Sequence, residues 1–262
     1  MNLRAKTLSA MRVWQTFGTT ELLKIPFRKI SKLKYLIYDK EKSLQSFQDL
    51  ISFTVPSLEF LSKCGTNHVS REIVDSYTTY LEDFKFRTSI PRSGFFGEIY
   101  DLGPGLGFLL FVLIDKEKPK TVIETGIAAG ASSNLILDRL NQIRHGRLVS
   151  LDITSKVGEL VDEKLKEKWT IEILPKLFKR KSFINILESY PDASIFLHDS
   201  DHSVKWQIFE ICSVIKYIPT IKHILVDDVN REFQSFVLAN LTEWNLVVID
   251  EGPKISGYLS RI

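Results

Sequence analysis

The sequence predicts an α/β protein: a doubly wound, mostly parallel sheet of about seven strands with a C-terminal antiparallel hairpin, preceded by a helical N-terminal region. Three observations carry this expectation. After Pro119, short apolar runs alternate with helical spacings, the pattern of strand-helix units whose crossovers cover both faces of a parallel sheet. The first run continues into Val122-Ile-Glu-Thr-Gly-Ile-Ala-Ala-Gly-Ala-Ser-Ser133, where a strand passes through an acid and two spaced glycines into a helix. The last two runs are joined only by Asp250-Glu-Gly-Pro-Lys254, short enough for a hairpin turn.

Taken in chain order, residues 1–90 read as a basic, helical arm or cap and residues 91–262 as the main domain. Residues 1–42 hold ten Lys/Arg against three acids, a net +7 in a chain whose total is +3. Within them Leu22–Tyr38 mixes cations with Leu, Ile, Phe and Tyr around Pro26. Two readings of that stretch stay open: an arm packed on the main domain or on the partner of a homodimer, and a peripheral contact with an anionic membrane surface. Nucleic acid is not expected, because no binding motif accompanies the charge. Helical spacings follow at Leu44, Phe47, Leu50, Ile51 and at Ile73, Tyr77, Tyr80, Leu81, separated by a turn at Cys64–Asn67. Ile90–Gly94 reads as a loop, and Gly103-Pro-Gly-Leu-Gly107 as a turn before the apolar helix Phe108–Ile114. The expected strands are Thr121–Glu124, Arg147–Asp152, Thr170–Ile173, Ser194–His198, His223–Val226, Leu246–Ile249 and Ile255–Ser260. The expected helices between them are Ser132–Arg144, Lys156–Lys168, Val204–Tyr217 and Arg231–Leu241.

Composition excludes several classes. At 44% hydrophobic and 26% charged the chain is ordinary for a globular protein. Phe108–Ile114 is far shorter than the roughly 18 apolar residues of a membrane span. Cys64 and Cys212 lack metal spacing and read as separate reduced thiols, which fits a cytoplasmic setting.

In an open α/β sheet, ligands bind beyond the carboxyl ends of the strands, and four expected strand ends here carry acids. They are Glu124 with its glycine turn, Asp152, His198-Asp-Ser-Asp-His202, and Asp227-Asp228. In the turn Glu124-x-Gly126-x-x-x-Gly130, the first glycine suits a positive φ and the second suits a close approach of backbone to ligand. Asp152 stands 22 residues beyond Gly130, the spacing at which a second strand presents a carboxylate to ribose hydroxyls. An NAD site needs G-x-G-x-x-G, and Glu124 occupies a place where glycine is wanted. An acid there also suits a pyrophosphate poorly, and a cofactor with a positive centre better.

These residues resemble the class I S-adenosylmethionine-dependent methyltransferases, in which an E/D-x-G-x-x-x-G turn holds the amino-acid end of the cofactor and a second-strand acid holds its ribose. Ile195-Phe-Leu-His-Asp-Ser-Asp-His-Ser203, the following helix with Glu210, and Ile224-Leu-Val-Asp-Asp-Val229 narrow the likeness to the macrocin and cephalosporin-pathway group (methyltransferase 24-like), whose members modify sugars and natural products. The resemblance covers about residues 95–262 by its motifs. It implies a Rossmann-like methyltransferase fold. It implies cofactor contacts from Glu124, Gly126, Gly130, Ser132 and Asp152, with Ser132 equally readable as a helix cap. It further implies Mg²⁺ held by Asp199, Asp227 and Asp228, with Asp201 beside them. His202 then stands as general base, or else as a cap or an orienting partner of Asp199, and His198 as structural. Where the family carries Gly-x-Ser near the adenine, this chain has Lys179-Arg-Lys-Ser182.

The implied activity is Mg²⁺-assisted O-methylation of a hydroxyl on a sugar, glycolipid or small natural product, using adenosylmethionine. The rival readings are an NAD-linked oxidoreductase and a non-catalytic binding protein that keeps the fold.

Overall fold

A computed structural model describes residues 69–88, 102–250 and 255–262. The basic arm over 1–42 with its Leu22–Tyr38 stretch, the helical spacings over 43–51, Cys64, the loop over 90–94 and the turn residues 251–254 lie outside the described residues.

Helix α1, Arg71–Thr88, realises the Ile73, Tyr77, Tyr80, Leu81 spacing. Tyr77 and Tyr80 share one face and are buried, with the Tyr77 ring set edge-on to Phe108 and Phe111 at 5.0 and 5.2 Å. Those rings belong to helix α2, Pro104–Glu117, in which every residue from Leu106 to Ile114 except Gly107 is a buried hydrophobic. A helix apolar all round is one enclosed by other layers. It begins earlier than expected: Gly103 is its N-cap and Pro104 its first residue, so Gly103–Gly107 is the opening turn of the helix. Proline is pre-set for that position and loses no hydrogen bond there.

The sheet contains β1 Thr121–Thr125, β2 Arg147–Asp152, β3 Trp169–Ile173, β4 Ala193–His198, β5 His223–Val226, β6 Trp244–Asp250 and β7 Ile255–Arg261. Their order is β3-β2-β1-β4-β5-β7-β6. The first five are parallel, and β7 runs antiparallel to both β5 and β6. The expected hairpin is present, but β7 is wedged between β5 and β6 and leaves β6 at the edge. Burial decides this: Gly257, Tyr258 and Leu259 are enclosed, whereas β6 carries the exposed Val248.

Helices α3 Ala131–Gln142, α4 Lys179–Ser189, α5 Val204–Tyr217 and α6 Arg231–Asn240 complete the crossovers. On one face, Ile123, Val149, Phe196 and Ile224 pack with Phe183 and Leu187 of α4, Ile211 and Val214 of α5, and Phe233 and Val237 of α6. Helices α2 and α3 form a second packed pair, and β1 is buried at every residue because both sides of the sheet are covered.

Two helical expectations change. Lys156–Lys168 is helical only over the 3₁₀ segment Glu163–Lys168, capped by Asp162, because the preceding loop spends its backbone donors on the glycine turn. Helix α4 was not expected. Its Phe183, Ile186, Leu187 spacing is helical, but its start has neither a side-chain cap nor an acid in the first turn. No helix among the described residues is long and apolar enough to cross a membrane.

Phe183 is fully buried and its ring meets Trp206 and Phe209 at 6.4 and 5.7 Å. Phe183→Ala is expected to cost about 3–5 kcal/mol, read as a lower urea midpoint with an unchanged denaturant slope.

Candidate functional site

Strand β1 lies between β2 and β4, so the chain's winding reverses between β1 and β4. In open α/β sheets that reversal opens a crevice at the carboxyl ends. Here the end of β1 is stitched to both of its neighbours, β4 and β2. The Asp199 N–H donates to the Thr125 carbonyl at 2.8 Å, and the Gly126 N–H donates to the Leu151 carbonyl at 2.9 Å. Gly126 has φ 83°, and a Cβ on it would lie 1.9 Å from the Asp199 carbonyl oxygen. Only glycine allows both the backbone angle and that approach.

Gly130, at φ 92°, corrects one expectation. Its missing side chain makes room for protein: a Cβ would stand 2.8 Å from both Gly158 Cα and Val161 Cγ2. The loop after β2 folds back over the turn, with the Gly158 and Leu160 N–H groups donating to the Ala128 and Ala129 carbonyls, both at 2.9 Å.

The geometry also changes the place of Glu124. It is fully buried, and its two oxygens accept hydrogen bonds from Ser132 at 2.5 Å, Ser133 at 2.6 Å and Ser150 at 2.7 Å. It supports the turn from below and does not face a ligand as its strand-end position implied. Burial pushes its carboxyl above the ordinary range, an effect the three serine hydroxyls oppose and the nearby Asp152 reinforces. The Ser132 hydroxyl is accordingly committed to Glu124. Ser132 still lies in the first turn of α3, whose N-cap Gly130 supplies no side-chain hydrogen bond. The opening N–H groups of such a helix have no intrahelical partner and suit an anionic group.

Asp152 ends β2 as expected. Its carboxylate accepts from the Ile127 N–H at 2.9 Å and from the Ile153 and Thr154 N–H groups at 2.6 and 3.1 Å. It locks the β2 end to the glycine turn while remaining partly accessible.

Asp199, His202 and Asp227 converge, each offering a ligand atom within 4.8 Å of the others. Asp227 is buried and accepts from Ser256 at 3.2 Å, while its own N–H donates to the His198 carbonyl at 2.9 Å. Asp228 sits on the solvent side with φ 54°, a left-handed conformation that aspartate tolerates. The His202 Nε2 is 3.9 Å from Asp199 Oδ1 and 3.8 Å from Asp228 Oδ2, placing the imidazole between the two carboxylates. Two carboxylates with a third close by suit a hard divalent cation, and the imidazole in the same cluster suits Mn²⁺ or Zn²⁺ as well. Asp201 is exposed and accepts from the Ser203 N–H at 3.0 Å, at the start of α5.

In the sequence Glu210 stands out only as part of the helix that follows the D-S-D-H motif. It is buried, and its carboxylate binds His198 Nδ1 at 2.6 Å, Thr125 Oγ1 at 2.7 Å and Ser200 Oγ at 3.1 Å. Both chain neighbours of Asp199 are thus tied to one carboxylate, and His198 is structural as expected. Gln207, also missed, donates through Nε2 to the Asp227 and Asp228 carbonyls at 3.3 and 3.2 Å. The available signal was spacing: Gln207 and Glu210 are three apart on α5, so they share a face of that helix.

No family model matches this sequence, and no curated protein does. Among solved structures, the chain is similar to a Podospora anserina methyltransferase with bound SAH, at 10% identity over 74% of this chain and 97% of that one, TM-score 0.48. It is also similar to a Geobacter sulfurreducens methyltransferase, at 17% identity over 79% and 99% of the two chains, TM-score 0.42. A third likeness is to a Bacillus cereus O-methyltransferase in complex with SAH, at 14% identity over 80% and 100%, TM-score 0.44.

The raised Glu124 carboxyl gives a pH signature. The folded state holds this proton more tightly than the unfolded chain does. Its stabilising contribution is therefore complete below the ordinary carboxylate range and is lost as pH rises through the folded value. Urea melts of wild type and Glu124→Gln across this window are expected to show wild-type stability falling relative to the variant with rising pH. A pH-independent difference contradicts the assignment.

Proposed function

We propose that the protein is an S-adenosylmethionine-dependent O-methyltransferase, assisted by a divalent cation, that acts on a hydroxyl of a sugar, glycolipid or small natural product. The observation that carries the reading is the meeting, at the β1/β4 reversal, of the glycine turn with the Asp199, His202 and Asp227 cluster. A cofactor pocket and a proton acceptor flanked by carboxylates are what transfer of an activated methyl to oxygen requires.

Adenosylmethionine supplies, when bound, a methyl already activated as a sulfonium, and a divalent cation supplies charge that lowers the pKa of a hydroxyl. The chain's residues do the rest. The amino end of α3 would orient the methionine carboxylate, and Asp152 would orient the ribose through the acceptor capacity its three backbone bonds leave free. Asp199, Asp227 and Asp228 would hold the cation, with Mg²⁺ favoured by their oxygen donors. His202 Nε2 would take the proton that the acceptor's hydroxyl gives up when its oxygen is methylated. Glu210 and Gln207 fix the two strand ends from which these groups project.

An NAD-linked oxidoreductase is disfavoured, since the carboxylates at these strand ends repel a pyrophosphate. A specific observation supports a variant of the main reading, in which His202 is itself a ligand and the metal is Mn²⁺ or Zn²⁺.

Calorimetry on the full chain is expected to show binding of adenosylmethionine and none of NAD; failure of the folded protein to bind adenosylmethionine defeats the proposal. Asp227→Asn preserves the side chain's size and is expected to reduce metal-stimulated turnover about 100-fold or more while leaving cofactor affinity within a few-fold. Undiminished turnover in chelator removes the metal. His202→Gln separates the two roles of the imidazole: loss of the pH-dependent limb of kcat with intact metal binding marks a base, and weakened metal binding marks a ligand.

A further inference from the structure

Between β3 and α4 the chain presents two adjacent apolar side chains to solvent: Leu177 is 76% exposed and Phe178 is 79% exposed. Phe178 has φ 61°, a left-handed conformation that costs a bulky aromatic residue energy. It is also the N-cap of α4 and makes no side-chain cap hydrogen bond, where Asn, Asp, Ser or Gly serves better. Cations surround the pair. Lys176 precedes it, Lys179, Arg180 and Lys181 follow, and no acid occurs between Ile173 and Ile186. Three cations in the first turn oppose the helix dipole, and the exposed apolar pair packs nothing to offset them.

The base of the tip is braced. The Lys179 Nζ lies 3.8 Å from the Trp206 ring centroid, and the Arg180 guanidinium lies 4.8 Å from that of Phe209. Because β3 is parallel to β2 and β2 to β1, the tip rises from the same sheet edge as Asp152 and Asp199. Ile153, directly after Asp152, adds a further apolar side chain at 61% exposure on that edge.

We propose that the Leu177–Phe178 tip docks on an anionic lipid surface, with the two apolar side chains entering the headgroup boundary and Lys176, Arg180 and Lys181 resting against lipid phosphates. An outward apolar pair collared by cations complements such a surface in both polarity and charge. An acidic soluble protein answers the charge but not the apolar pair. The inference does not depend on methyl transfer.

The test uses the full chain and vesicles of phosphatidylcholine with or without phosphatidylserine, with binding read by co-sedimentation. The wild type is expected to bind the phosphatidylserine vesicles, less so as salt rises. A Leu177→Ser, Phe178→Asn variant, with asparagine chosen for its tolerance of the left-handed conformation, is expected to bind about tenfold more weakly with an unchanged circular dichroism spectrum. Lys176→Glu with Lys181→Glu is expected to lose binding to phosphatidylserine vesicles to a similar degree. Undiminished binding by the Leu177/Phe178 variant overturns the proposal and assigns any lipid affinity to other segments such as 1–42. Equal wild-type binding to neutral vesicles, no binding to either kind, or retention by soluble polyglutamate in place of vesicles also overturns it.

Discussion

Everything at the carboxyl edge depends on the absence of one side chain. The carbonyl of Asp199 occupies the place where any residue other than glycine at position 126 would put its Cβ. That contact brings the ends of β1 and β4 within backbone hydrogen-bonding distance, and so sets where Asp199 stands relative to the turn. Around it the fold spends buried carboxylates as braces. Glu124 fastens the turn to α3 and β2 through three serines, and Glu210 fastens both flanks of Asp199 to α5. Buried polar groups of this kind cost desolvation, and full hydrogen bonding is what makes them tolerable.

Most of the architecture was legible because strand identity depends on short-range pattern. Arg147–Asp152 and His223–Val226 emerge with the bounds the sequence implied, since β-branched and apolar runs of that length between turns have few alternatives. Sheet order was less legible. Nothing local tells β7 to pair with β5 as well as β6; that follows from which strand must be covered. Helix α4 was missed because its start breaks the local rules for helix beginnings, and the Lys156–Asp162 segment was over-read because its apolar residues are committed to a loop that braces the turn. Both are tertiary overrides of local preference.

The site divides the same way. The sequence located the strand-end acids, since the fold fixes where strand ends lie. It did not tell which carboxylates face outward. Asp199 and the buried Asp227 meet His202 at the strand ends, whereas Glu124 turns to a shell of serines that spacing alone cannot reveal. Hydroxyl partners such as Ser150 come from the adjacent strand at a register known only from the pairing. The glycines were found for a sound reason, their positive φ, but what fills the space beside them is protein.

The inserted strand has a consequence for the order of assembly. Strand β7 is the last described strand in sequence, yet it lies inside the sheet and supplies Ser256 to the carboxylate of Asp227. While a ribosome is still making the chain, β1 to β5 can pair, but β5 then has an open edge and Asp227 lacks that hydroxyl. The cleft is therefore finished only after synthesis has passed residue 261. A nascent chain halted before that point exposes an unpaired edge strand, the feature by which incomplete sheets aggregate.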